Sequence, residues 1–329
     1  MALFENANYD FIKWRWHAIA LSAIVIIAGF AYGFQRGIPL GIDFSGGTMI
    51  VAKFAQPVTV DQVRTALAAD IPGESVIQSF GDPANNEILI RLPMAEGAEE
   101  GAALEAGANA VIAALTRANL GKPEVISKDL VGPVIGADLQ RKGIYATLAS
   151  IVGITIYIGL RFRFAFAIGA IAATLHDILV TLSFLFLFGY DLTLNVVAAI
   201  LTITGYSVND TIVIFDRVRE NLRTKRRDPL EQVVNASVNQ TLSRTVITAG
   251  TTFLAVLSLY LFGGEVLEAF AFTMLVGIIS GTYSTVFIAS AIAIVLSQHK
   301  RSSSASAQAA AGRPEAARPG RKSRGAKAS

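Results

Sequence analysis

The chain has 329 residues, of which 53% are hydrophobic and 16% charged, with a formal net charge of +3 and a mean hydropathy of +0.51. Soluble domains usually carry about 25% charged residues, so this balance argues against a wholly soluble protein and predicts several membrane-buried spans. Cysteine is absent and histidine occurs three times. That excludes disulfides and thiolate metal sites, leaves little from which to build a zinc or iron centre, and sets the expectation of no metal or organic cofactor.

The N-terminal segment, residues 1–16, carries Phe4, Tyr9, Phe11, Trp14 and Trp16, aromatic anchors of a membrane–water interface. An apolar run at 17–36 follows, long enough to cross a bilayer. No small-x-small cleavage site closes it, so it reads as a retained span and not as a signal peptide.

Residues 37–142 supply room for one small globular domain. It is entered through GIDFSGGT at 41–48. There Gly46 and Gly47 permit a left-handed backbone, Asp43 and Ser45 can cap neighbouring amides, and Gly41 and Phe44 complete the motif. A phosphate loop would need a lysine or GxGxxG spacing, and neither is present. The motif is expected to be a structured hinge.

Beyond it, TMIVAKF at 48–54 alternates like a strand. TVDQVRTALAAD at 59–70 is helical, with Thr59 as N-cap and Val60, Val63 and Leu67 on one face. SVIQSF and EILIRL are strands joined by the turn GDPANN, 97–120 is an Ala-rich helix, and PEVISKDLV closes as a strand. The order βαββαβ is that of a ferredoxin-like α+β unit. With no histidine, no cysteine and no serine or threonine partnered with a base, the domain is expected to bind, move or prop rather than catalyse. Capture of extended polypeptide at a sheet edge is one physical option.

Further apolar runs at 143–160, 164–188, 192–215, 245–262 and 267–297 bring the spans to six. The predicted class is therefore a polytopic α-helical membrane protein with six transmembrane helices and one small domain between the first two. In the sixth run, Gly277-x-x-x-Gly281 would allow close helix contact.

Basic residues fix the orientation. Lys13, Arg15, Arg161 and Arg163, the basic loop predicted at 216–244, and the Lys/Arg-rich tail at 298–329 all fall on one side of a six-span protein. The positive-inside rule makes that side cytoplasmic, with both termini there and residues 37–142 periplasmic. The tail's composition predicts disorder; it is a solvated topogenic segment or a contact for anionic lipid or ribosomal RNA.

Within the spans, GYSVNDTIVIFDRVRE at 205–220 places Asn209 and Asp210 inside an apolar helix. A central aspartate costs about 2.5–3.5 kcal/mol on insertion scales, so it calls for a protein interior, a hydrated cavity or a cation. Asp210 lies about 9 Å short of Asp216 along the axis, in the cytoplasmic half, with Tyr206 on its face. Arg244 enters the fifth span from the same side and is the candidate partner. A proton-linked role, a static structural pair and an interfacial position remain as readings of Asp210. His176 and Asp177 form a second polar pair near a span centre; adjacent positions point about 100° apart, so no shared partner is expected. They are a relay or a helix–helix bond that orients the bundle.

These motifs together, GIDFSGGT, LHD at 175–177, GYSVNDTIVIFDRVREN, QTLSRTVITAGTTF and LYLFGGEVLEAFAFTMLVGIISGTYST, resemble the SecF members of the bacterial SecD–SecF protein-export family. That family is related to the resistance-nodulation-division transporters. The resemblance runs from about Tyr9 to Lys300. It implies use of the proton-motive force, with protons as the coupling ion, to promote late export across and insertion into the inner membrane. It further implies proton coupling at Asp210 with Arg244 and Asn209, and a less defined role for His176 and Asp177. The implied partners are SecD as a separate polypeptide, the SecYEG channel with SecA-driven preprotein, YajC, the YidC insertase, unfolded preprotein at the periplasmic domain, and the lipid bilayer. A passive translocon scaffold and half of a proton-coupled small-molecule or lipid exporter are the rival readings.

Overall fold

The computed structural model describes residues 7–68, 71, 75–81, 83–92, 100–120, 123–225 and 227–298. The tail from 299 onward, the helix ends predicted at 69–70 and 97–99, and Asp82 of the predicted turn lie outside the described residues. Helix α1 (Arg15–Arg36) stops at Gly37, whose φ of 84° leaves helical space. One helical turn, α2 (Ile42–Ser45), leads through Gly46 and Gly47, at φ 70° and 123°, into strand β1 (Gly47–Lys53).

Helix α3 (Val60–Ala68) starts on a capping box. The Thr59 amide donates to Gln62 Oε1 at 2.8 Å and the Gln62 amide to Thr59 Oγ1 at 3.4 Å. Then come β2 (Val76–Phe80), β3 (Glu87–Leu92), α4 (Glu100–Arg117) and β4 (Glu124–Val131). The sheet has the order β2-β3-β1-β4 with every neighbouring pair antiparallel. Ile50 and Ile90, opposite each other in the register, pack with Val63 and Leu67 of α3 and Val111 and Leu115 of α4.

Helices α5 (Pro133–Arg161), α6 (Phe164–Phe188), α7 (Leu194–Thr224), α8 (Leu230–Phe262) and α9 (Glu265–Ser284) form the bundle with α1. A π turn at Thr285–Ala289 carries α9 on to Gln298. Among the described residues, six helices are thus long and apolar enough to cross a membrane, the number predicted.

Two helical bounds differ from apolarity. Helix α5 starts at Pro133, ahead of the run at 143, because proline favours a first helical turn and the polar stretch keeps helical ties such as Lys142–Asp138 at 2.7 Å. The segment 216–244 is corrected from a loop to a helical hairpin, since α7 runs to Thr224 and α8 begins at Leu230. Its inner face is amphipathic: Val233, Val234 and Val238 are buried with Val218, and Asn221 Nδ2 donates to Ser237 Oγ at 2.8 Å. Asn235 and Asn239 of this extension also bond the backbone ahead of α1, accepting from the amides of Phe11 and Tyr9 at 3.0 and 2.8 Å.

Small residues set the helix spacing. A Cβ on Gly277 would lie 2.2 Å from Ile203 Cδ1, and one on Gly281 2.9 Å from Ser207 Cβ, so the pair does allow α9 to close on α7. A Cβ on Gly29 would meet Ser183 at 2.3 Å from Cβ and 2.6 Å from Cα. Gly153, by contrast, has open space around that position. Gly29→Ala should therefore lower stability by about 1–3 kcal/mol through overpacking of α1 on α6, whereas Gly153→Ala should be neutral or mildly stabilising. Thermal unfolding in detergent checks both.

Candidate functional site

Three helices meet at Asp177, which is 1% exposed. Its carboxylate accepts from Ser207 Oγ of α7 at 2.5 Å and from Ser280 and Ser284 of α9 at 2.7 and 2.8 Å. His176 Nδ1 lies 3.1 Å from Asp177 Oδ1. The two neighbours bond each other, since Nδ1 sits close enough to the backbone to reach its neighbour's carboxylate, and the serine partners of Asp177 are not shared with His176. The other ring nitrogen, Nε2, is buried without a hydrogen-bond partner among the described residues, and the ring lies 6.1 Å from that of Tyr283. Sequence reasoning missed the three serines. Ser280 and Ser284, one helical turn apart on a glycine-rich helix, were the available signal.

One turn beyond Ser207 on α7 stands Asp210, 5% exposed. Its Oδ1 accepts from Thr245 Oγ1 of α8 at 3.3 Å, and its Oδ2 has no partner among the described residues. Arg244 does not pair with it. The arginine is exposed and forms no ion pair with Asp210. Matching depth along two helices does not match azimuth, and the residue one position further on faces the seam instead. Asn209 is exposed as well. In an antiparallel helix pair, positions one before the contacting residues fall on the same side of the seam. Asn209 and Arg244 therefore flank one open face, continued along α7 by exposed Thr202 and Gly205 and along α8 by exposed Thr248 and Thr251. Tyr206 packs into the apolar seam of α7, α8 and α9 beside Ile203 and Met274.

At the other end of α7 the glycine motif is pinned. Asp43 Oδ2 accepts from the amide of Leu194, the first residue of α7, at 2.9 Å, while Thr193 Oγ1 accepts from Val196 at 3.3 Å. The Gly41 amide donates to Leu192 O at 2.7 Å and the Leu192 amide to Pro39 O at 2.8 Å, a parallel bridge between the two segments. Arg91 of β3 pairs with Asp191 and donates to Leu40 O. On α5, a Cβ at Gly136 would lie 3.1 Å from Gly46 N, so this helix closes tightly on the motif. Asp43 thus caps an amide remote in sequence rather than a neighbour, and Ser45 Oγ donates back to Gly41 O at 3.0 Å instead of capping. The expected hinge is clamped on several sides.

Nearby, Tyr190 donates to Glu268 Oε1 at 2.6 Å, with Tyr260 at 3.3 Å. Burial, and then the bond to Glu268, push its phenol well above the ordinary value, so it stays a donor. Among the described residues no group of three or more acidic or histidine side chains could hold a metal.

Buried carboxylates inside a multi-span bundle, tied to a domain outside it, define a membrane protein of the transport or translocation class. Residues 111–299 match the family described as protein export membrane protein SecD/SecF, C-terminal, and residues 32–58 match the SecD/SecF GG motif. The protein translocase subunit SecF of Escherichia coli O157:H7 is 40% identical over 288 residues, covering 88% of each chain. That of Desulfurispirillum indicum is 41% identical over 292 residues, covering 86% of this chain and 90% of its own. The crystal structure of SecDF from Thermus thermophilus, a translocon-associated membrane protein, superposes with a TM-score of 0.79 at 33% identity. It aligns with 91% of this chain, which spans 40% of that longer one. The chain belongs to the SecD/SecF family of protein-export membrane proteins.

Removing the Asp177 acceptor leaves three buried hydroxyls without it. Asp177→Ala should lower the unfolding free energy by about 1–3 kcal/mol or more, read as a lower thermal midpoint in detergent, whereas Asn209→Ala on the open face should leave that midpoint nearly unchanged.

Proposed function

We propose that the chain is an accessory subunit of the Sec protein translocase that pairs with SecD and uses the proton-motive force to promote late steps of protein export. Similarity to relatives named as translocase subunit SecF over most of both chains supports the subunit role. A SecD partner is supported by the SecDF chain, of which this sequence spans 40%. The basic helix ends at Arg161, Arg163, Arg217 and Arg219 support an inner-membrane orientation with both termini cytoplasmic. The sheet domain is then periplasmic; its βαββαβ order and antiparallel β2-β3-β1-β4 sheet support a ferredoxin-like unit that handles emerging preprotein. SecYEG, SecA-driven preprotein, YajC and YidC are the larger assembly in which it works.

The proton reading is carried by Asp210, a buried carboxylate with one oxygen bonded to Thr245 and the other without a partner among the described residues. Protons from the periplasm reach it along the open polar face once the second subunit covers Thr202, Gly205 and Asn209. Neutralisation removes the charge from the α7–α8 seam. One charge crossing 100 mV supplies about 2.3 kcal/mol, comparable to the cost of holding a carboxylate in that setting.

Motion leaves the site through α7. Its first turn, about 24 Å from Asp210 along the axis, is gripped by Asp43 and Leu192, and Arg91 of the sheet holds Asp191. The glycine motif therefore acts as a coupling joint: α7 cannot shift without carrying the edge of the domain with it.

Asp210→Asn, in vesicles where assembly with SecD is intact, should abolish the stimulation of export by a proton gradient; full stimulation would sink the proton reading. For the joint, Asp43→Ala should cost about 1 kcal/mol of helix capping and weaken gradient-driven export, while Asp43→Asn, which still offers an oxygen to Leu194, should keep most of it. Unchanged coupling in Asp43→Ala would refute the joint.

A further inference from the structure

At the end of the bundle opposite the domain, α5, α6 and α7 line an open cavity of about 460 Å³, within the range of small-molecule sites. Its rim is Arg161, Arg163, Arg219 and Arg223, and its floor is Phe166 and Phe215, packed edge to face at 5.0 Å. Among the described residues, no acidic side chain lines it.

The arginines converge for local reasons. Arg161 ends α5 and Arg163 precedes α6, so the tight turn between two spans presents both at the bilayer border. Asp216, Arg219 and Arg223 share one face of α7 by their i, i+3, i+7 spacing. Asp216 takes Arg161 Nη2 at 2.7 and 2.8 Å, which braces that guanidinium over the Phe162 ring at 5.3 Å. Arg217, between them in sequence, points elsewhere: it donates to Gln240 at 2.6 Å and to Glu220 at 2.6 Å. Topology alone asks only that basic residues lie on one side of the membrane. It does not ask that four of them close around an aromatic floor while their neighbour is tied away.

The surroundings select the ligand. Leu160 and Phe164, which flank the arginine turn, are 86% and 74% exposed, an apolar lip facing the acyl region. A phosphate on the rim would thus have hydrocarbon directly below it. We infer that this cavity is a binding site for the phosphate headgroup of an anionic phospholipid, with Arg163 and Arg219 on the phosphate and the acyl chains along Leu160 and Phe164. Arg161 serves as the braced wall. The site asks only that the chain sit in a bilayer with this end in an anionic leaflet; it does not depend on proton coupling at Asp210.

The test uses the full-length chain co-purified with SecD and reads retained lipid by native mass spectrometry, offering phosphatidylglycerol, phosphatidylcholine or inorganic phosphate. Phosphatidylglycerol should be retained in preference to phosphatidylcholine. Arg163→Gln and Arg219→Gln should each weaken that retention about fivefold, the equivalent of about 1 kcal/mol per basic residue. Arg217→Gln, the same charge change outside the cavity, should not alter it. Arg163 and Arg219 are exposed and Arg217 is half-buried, and size-exclusion elution verifies assembly. Equal loss in Arg217→Gln would mean diffuse charge attraction and overturn the site. So would equal retention of the two lipids, or displacement of phosphatidylglycerol by inorganic phosphate, which would reassign the cavity to a free anion.

Discussion

The satisfaction of one buried charge, Asp177, governs how this bundle is assembled. A carboxylate inside an apolar bundle must be hydrogen-bonded or it is prohibitively costly. Here α7 and α9 must each bring serine hydroxyls within reach of α6. That requirement sets the rotation of both helices. It also demands close approach, which explains why Gly277 and Gly281 face Ile203 and Ser207, where any Cβ would intrude. With α7 turned so that Ser207 meets Asp177, Asp210 one turn further on is directed to Thr245 of α8. The position of the second carboxylate follows from the satisfaction of the first.

The two carboxylates differ in how complete that satisfaction is. Asp177 has hydroxyl donors on both oxygens, from two other helices, and His176 beside it. Such a network is worth most when every member is satisfied, and it resists change. Among the described residues Asp210 has a single long hydrogen bond and one oxygen without a partner, beside a face that is open and polar. A partly satisfied carboxylate beside an open polar face is a place where a proton or a second subunit can alter the energy. Asp177 therefore belongs to the scaffold, and Asp210 is the carboxylate on which the proposed proton coupling rests.

Much of this was legible in sequence, and the gaps have physical causes. Apolar runs announced six spans because lipid demands them, and Asp210 stood out because a charge in such a run is expensive. The helical ends of α7 and α8 beyond the apolar stretch were invisible to hydropathy, since only one face of each is buried. The serines around Asp177 escaped notice because hydroxyls are cheap in helices and many bond their own preceding carbonyl, as Thr204 and Thr211 do here. Whether Arg244 touches Asp210 was not legible, because sequence conveys depth along a helix but not which of two adjacent residues faces the partner. The Asp43 cap on Leu194 joins residues far apart in the chain, a tertiary fact with no local trace.

Helix α7 draws these features into one mechanical element. At about 46 Å for its 31 residues, it outreaches a hydrocarbon core of about 30 Å, so both ends stand clear of lipid. One end is capped by Asp43 and bound through Asp191 and Leu192 to the sheet domain. The other is tied by Asp216 to Arg161 and by Asn221 to Ser237. A helix held at both ends and saturated at Ser207 has few soft degrees of freedom. Between those ends lies the long Asp210–Thr245 bond to α8, so under the proposed coupling a change of charge there is resolved by sliding or turning α7 against α8 more readily than by bending it. Because the α2 turn and β3 are fastened to its first residues, such a displacement reaches the domain without any flexible hinge between them.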